Sequence, residues 1–193
     1  SFSRLFDFVS SSLKIPSIKP SNELTQTIMM NEVLENLKNQ LKIYKKNSDD
    51  MTLAKLLLDA IKELKSNKID KENLKKIYDS CTKNIIKEEL EEIIKIYDSY
   101  QSSLQNVIKD TCDELDLLDD IIKSNNFFRN YSIFFYGFST FTVQQFSIIE
   151  TMMIQSENIY MLLCTPNLSY TPCSYNIFSL VDITIHKLEK IAR

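Results

Sequence analysis

Glycine is nearly missing from this sequence: Gly137 is the only one in 193 residues, and there are four prolines. Tight β-turns depend on glycine, so a β-rich fold is excluded. Disordered segments are enriched in both residues, so disorder is excluded as well. Strong charge of one sign is also lacking, since 23 basic residues face 26 acidic ones for a net charge of −3. No field of that size gathers nucleic acid or anionic lipid over the whole surface, although a local patch remains compatible with the total. Only three of the 23 basic residues are Arg (Arg4, Arg129, Arg193), a bias that fits an AT-rich coding sequence. None of Cys81, Cys112, Cys164 and Cys173 stands two to four residues from another, which disfavours zinc. They read as reduced, mostly buried thiols of a cytoplasmic protein. No apolar run approaches the ~18 residues of a membrane span, and no signal-peptide pattern opens the chain.

What remains is periodic and helical. Phe2, Leu5, Phe6 and Val9 place a short amphipathic helix at 2–13. Pro16 and Pro20 mark an extended connector. Ser21 or Asn22 caps a second helix, with a stripe of Leu24, Ile28, Val33, Leu34, Leu37 and Leu41, ending near Lys45-Lys46-Asn47. Asp49 and Asp50 open a third, with Leu53, Leu56, Leu57, Ala60, Ile61 and Leu64 on one face. Ser66-Asn67-Lys68 breaks it. A long helical segment follows from about Lys71 to Ile108, its stripe including Leu74, Ile77, Cys81, Ile85, Ile93 and Tyr97, with one break near Thr82-Lys83-Asn84. A short helix covers about Asp113 to Lys123. The run Glu88-Glu89 and Glu91-Glu92 reads as a solvated face.

The character changes after Asn125-Asn126. Tyr131 to Tyr136 is a near-continuous aromatic and apolar run, which predicts a strand buried on both faces. Gly137 follows at once. Thr142 caps a helix carrying Phe146, Ile149, Met152 and Met153, and residues 158–164 predict a second buried strand. This is one βαβ unit, expected to be parallel and right-handed. Pro166 to Pro172 reads as a loop, and a last helix begins near Ser174–Phe178. The expected architecture is mainly α with a small α/β part, divided into a helical subdomain at 1–126 and an α/β piece at 127–193. Two parallel strands are marginal alone, so the sheet either docks on the helices or is completed by further chain. The absent initial Met and a helical pattern running to the last residue read as an excised segment.

Active-site patterns are scarce. One glycine cannot build a phosphate-binding loop or a dinucleotide fingerprint. His186, the single histidine, reads as structural. In open α/β sheets ligands gather at the carboxyl ends of strands. Here that end is Tyr136-Gly137-Phe138-Ser139-Thr140-Phe141-Thr142, with no carboxylate to hold Mg²⁺ or activate water. A tight turn with packed aromatics is one reading. Aromatic contact with DNA bases or a protein is the other.

The same residues carry a family resemblance. Ile133 to Gln145 resembles the "I-x-I-D-G-F-x-x-F-T-P-Q-Q" segment of the B subunit of the ATP-dependent helicase/deoxyribonuclease (AddB/RexB) family. The likeness continues through Ile148-Ile149-Glu150 and Ile159 to Cys164. Upstream, Leu90 to Tyr100 is similar to "K-L-x-D-I-x-x-I-Y-x-x-Y", Asp113 to Leu118 to "D-x-x-D-L-L", and Ser3 to Phe6 to "S-R-L-A-F". The resemblance implies a helicase-like N-terminal region with a partial RecA-like unit. It places Tyr136 and Gly137 where the Walker B motif D-E-F-Q-D has its metal-binding Asp and catalytic Glu, and Phe138 at its Phe. With both acids absent, no catalytic residue and no metal site is expected here. The resemblance further implies a partner helicase–nuclease A subunit and DNA as partners. ATP with Mg²⁺ and an iron–sulfur cluster would be cofactors of the parent protein outside this segment. Tyr136, Phe138, Ser139 and Thr140 are the candidate DNA contacts. The expected role is a non-catalytic scaffold shaping a DNA channel in double-strand-break processing. The alternative class is a structural helical interaction domain without DNA binding. An independent enzyme is disfavoured for want of a nucleophile–base pair.

Overall fold

The computed structural model describes residues 1–15, 21–48, 50–107, 111–165 and 178–192. The expected connector at Pro16 and Pro20, the cap at Asp49, the loop from Pro166 to Pro172, Cys173 and the helix start at Ser174 lie outside them. Two compact units emerge, one of Ser1–Ile15 with Leu115–Arg193, the other of Pro16–Glu114. They are drawn differently from a division at residue 126. The first helix and the helix before the strand share a core with the sheet, so they group with it.

The unit of Pro16–Glu114 is helical. It holds α2 (Glu23–Leu37), a 3₁₀ turn (Lys45–Asn47), α3 (Met51–Ser66), α4 (Lys71–Ser80), α5 (Asn84–Val107) and the start of α6 (Thr111–Asn125). Each early helix begins where a side chain accepts from an orphan backbone amide. Asn22 accepts from Thr25 N at 2.7 Å, Asp50 from Thr52 N at 2.8 Å and Asp70 from Asn73 N at 2.8 Å. The breaks expected at Ser66–Lys68 and Thr82–Asn84 are both present. The core is formed by Met30, Leu34, Leu58, Ile61, Ile96 and Tyr100, all fully buried, with further Leu and Val around them.

Several expected stripes are rotated. Leu24, Leu56, Ile77 and Ile85 are exposed, and Met30, Leu58, Ile96 and Tyr100 occupy the core in their place. Apolar residues outnumber what one face can cover, so composition alone leaves the angle of each helix open. The second helix also ends at Leu37, well before Lys45. The physical reason is Glu92. It is buried, contrary to the solvated face read for its run, and its carboxylate accepts from the amides of Lys42 (2.5 Å), Ile43 (3.0 Å) and Tyr44 (3.2 Å). Three consecutive N–H groups aimed at one carboxylate hold that segment out of the helix. Glu88, Glu89 and Glu91 are exposed as expected. Burial, with Glu89 and Glu92 nearby and a hydrogen bond to Glu89, pushes the Tyr44 phenol up to about 12. The buried Lys65 pairs its Nζ with the half-buried Asp113 at 2.7 Å.

The other unit contains α1 (Phe2–Ser12), the rest of α6, β1 (Ser132–Tyr136), α7 (Val143–Gln155), β2 (Asn158–Leu162) and α8 (Ser179–Ile191). The strands pair in parallel, Ser132 opposite Asn158 through Tyr136 opposite Leu162. Mainly α with a small parallel α/β part is therefore the fold. The strands are not buried on both sides, however. Ile133, Phe135, Ile159 and Met161 turn inward to the core with Phe6, Val9, Ile148, Ile149 and Met152. On the opposite face Phe134 is 72% exposed, Tyr136 78%, Tyr160 51% and Leu162 66%. A continuous apolar run reports that both faces are apolar; it does not report what covers each one.

Candidate functional site

The carboxyl end of β1 is delivered by a turn that the sequence fixes locally. Gly137 has φ +79°, a left-handed backbone that other residues adopt with strain. Nothing lies within 4 Å of where its Cβ would stand, so conformation and not crowding requires glycine there. Five residues later α7 starts with a reciprocal cap. Thr142 Oγ1 accepts from Gln145 N at 3.3 Å, and Gln145 Oε1 accepts from Thr142 N at 3.0 Å.

The four candidate contact residues divide. Tyr136, Ser139 and Thr140 are exposed. Phe138 is half-buried in a ring cluster, 5.1 Å from Phe141, 6.0 Å from Phe135 and 6.1 Å from Phe2. Phe141 continues the cluster to Phe146 at 5.6 Å. Phe138 thus anchors the turn from beneath, with a cavity of about 180 Å³ beside it lined by Phe2, Leu5, Ile133 and Met152 among others. The Ser139 carbonyl accepts from the buried Thr184 hydroxyl at 3.1 Å, which ties the turn to α8.

An acidic group that sequence reasoning passed over supports this frame. Asp119 on α6 is buried, and its carboxylate accepts from Ser147 Oγ (2.6 Å), Thr151 Oγ1 (3.1 Å) and Lys123 Nζ (2.8 Å). Burial pushes the carboxyl up, but Lys123, Ser147 and Thr151 together outweigh it and hold it below its ordinary value. The available signal was spacing: Asp119 stands four residues from Leu115 and three from Ile122, on the core-facing stripe. Gln155 adds a second tie, donating to the Ile122 carbonyl at 2.8 Å and accepting from Phe128 N at 3.4 Å.

The turn offers hydroxyls and backbone groups but no carboxylate, a donor set that does not fit Mg²⁺. Among the described residues no group of three or more His, Cys, Asp or Glu side chains converges as a metal site. Cys164 is exposed, Cys81 half-buried and Cys112 buried, which corrects the expectation of mostly buried thiols. His186 is half-buried on α8. No helix among the described residues is long and apolar enough to cross a membrane.

The family model described as "ADDB, N-terminal" matches residues 1–193. The chain belongs to the AddB N-terminal family. Similar AddB relatives each bear the name of the B subunit of an ATP-dependent helicase/deoxyribonuclease. That of Clostridium kluyveri is 30% identical over 191 residues, 98% of this chain and 16% of the relative. That of Ruminiclostridium cellulolyticum is 29% identical over 151 residues, 78% of this chain and 13% of the relative. One from Clostridium botulinum is 26% identical over 175 residues, 90% and 15% respectively. This AddB N-terminal chain therefore spans about a sixth or less of the length of the relatives it matches.

Proposed function

We propose that this domain is a non-catalytic, helicase-like scaffold within the B subunit of a helicase/deoxyribonuclease, shaping a DNA channel during double-strand-break processing and recombinational repair. The observation that carries the reading is the carboxyl end of β1. It projects an exposed ring, Tyr136, and the hydroxyl-bearing Ser139 and Thr140, and it holds no acid where a nucleotide-hydrolysing strand needs one. Phe138 keeps the turn in place from below. No hydrolytic step is ascribed to the turn. In this reading ATP with Mg²⁺, and the iron–sulfur cluster of the parent family, belong to other parts of the assembly, and the A subunit is the partner.

The test is single-stranded DNA binding by the full-length two-subunit complex, titrated across a salt series. Tyr136→Ala should weaken binding about ten-fold, from ~1–3 kcal/mol of base stacking. It should leave the log–log salt slope unchanged, because a neutral ring releases no counterions. Unaltered affinity would instead favour the interaction-domain reading.

A further inference from the structure

The turn after β1 offers a ring and two hydroxyls but carries no positive charge, and a nucleic-acid backbone is held chiefly by cations. Beside it stands Lys187 on α8, and two contacts fix its place. Thr184, one turn earlier on the same side of α8, donates its hydroxyl to the Ser139 carbonyl at 3.1 Å, so this side of the helix lies against the turn. Lys187 Nζ lies 5.1 Å from the centre of the Phe146 ring, which itself stands 5.6 Å from Phe141 at the end of the turn.

The charge of Lys187 is held in place without being cancelled. In the same unit Lys123 is paired with Asp119 at 2.8 Å. Lys187 is exposed, and among the described residues no carboxylate pairs with it. A neutral ring confines the ammonium and leaves its charge intact. Part of the side chain's rotamer freedom is then already lost, so a ligand costs less to bind. Stability of α7 does not account for the position. Phe146 lies in the first turn of that helix, where the backbone dipole disfavours a cation and favours an anion.

We propose that Lys187 grips a backbone phosphate of the single-stranded DNA brought to the turn. The inference rests on the function proposed above and supplies the counter-charge the turn lacks. Tyr136 leaves β1 on the outer face of the sheet, whereas Phe146 belongs to the core beneath its inner face. A strand that touches both Tyr136 and Lys187 therefore crosses the carboxyl end of β1, past the exposed Ser139 and Thr140. A phosphate contact carries no base identity, so Lys187 positions the strand and does not select its sequence.

The experiment titrates the full-length two-subunit complex with oligo-dT and oligo-dA across a salt series. Lys187→Gln should weaken both about five-fold at low salt and reduce the magnitude of the log–log slope by about 0.7, the share of one phosphate on a single strand. Lys187→Arg, which keeps the charge, should restore slope and affinity. In the unaltered complex, oligo-dT should also shield Lys187 from acetylation by an activated ester, read by mass spectrometry. A slope that Lys187→Gln leaves unchanged, a loss that Lys187→Arg does not repair, or equal acetylation with and without DNA would each overturn the proposal and leave Lys187 as a cover for Phe146. Tyr136→Ala acts on affinity and not on slope, so the two claims fail separately. A silent Tyr136 change with a reduced Lys187 slope removes the stacking alone, and the converse removes the phosphate grip alone.

Discussion

Between Pro16 and Glu114 the buried core is Leu, Ile, Val, Met and Ala with two tyrosines, and no phenylalanine. Among the described residues of Ser1–Ile15 and Leu115–Arg193, six of the fourteen that form the buried core are Phe. The polar ties differ as well. The helical unit buries Glu92 to satisfy backbone amides left over by an interrupted helix. The sheet-bearing unit buries Asp119 to join the side chains of two helices. Exposed apolar residues are scattered over both units, but in the second Phe134, Tyr136, Tyr160 and Leu162 share one sheet face. Flexible aliphatic side chains fill the gaps between packed helices. Flat rings, each with a preferred edge or face contact, suit a turn that must be held in one shape.

The comparison breaks most sharply at Glu92. Glu92→Ala leaves three amides without an acceptor and should cost about 3 kcal/mol in denaturant unfolding. Hydrogen exchange at Lys42, Ile43 and Tyr44 should rise with it, and Glu92→Gln, which keeps one acceptor oxygen, should cost less. Unchanged exchange would show that the carboxylate is not what ends α2.

Asp119→Asn is the counterpart in the other unit, with an expected loss of about 1–2 kcal/mol. Its pH dependence gives a sharper reading. The folded carboxyl titrates below its ordinary value of 3.8, so the unfolded chain binds the proton first. Its contribution is complete above that value and disappears as the pH falls through the lower, folded one. The substitution should flatten this acid limb of the stability profile. An unchanged limb would assign it to other carboxylates.

An effect of similar size is expected at the turn. Gly137→Ala meets open space but a left-handed backbone, so about 1–2 kcal/mol should be lost in thermal melting. No loss would mean the turn relaxes.

How legible these regions were from sequence follows the same physics. Local signals read true: caps at Asn22, Asp50 and Thr142, the breaks at Ser66–Lys68 and Thr82–Asn84, and the strand–helix–strand order around Gly137. Each depends on residues a few positions apart. The parallel pairing of the two strands also held, whereas two readings that depended on a distant partner failed. Leu56 looked like core because apolar residues lie on both sides of α3, and Glu92 looked solvated because the amides that donate to it lie some fifty residues upstream. Its spacing to Ile96 and Tyr100, at four-residue steps, was the clue. The turn's aromatic character was legible, but the sorting of its rings was not. Tyr136 outside and Phe138 inside follow from the Gly137 backbone and from Phe2, far away in the sequence.

The hydroxyls of Ser147 and Thr151 stand one helical turn apart and reach the two oxygens of a single carboxylate. Together they behave as a detent against rolling. If α7 rotated about its axis by one residue, 100° of arc, neither hydroxyl could keep its oxygen. The phase of α7 about its own axis is thereby set, and with it the direction from which the chain between Gly137 and Thr142 must arrive.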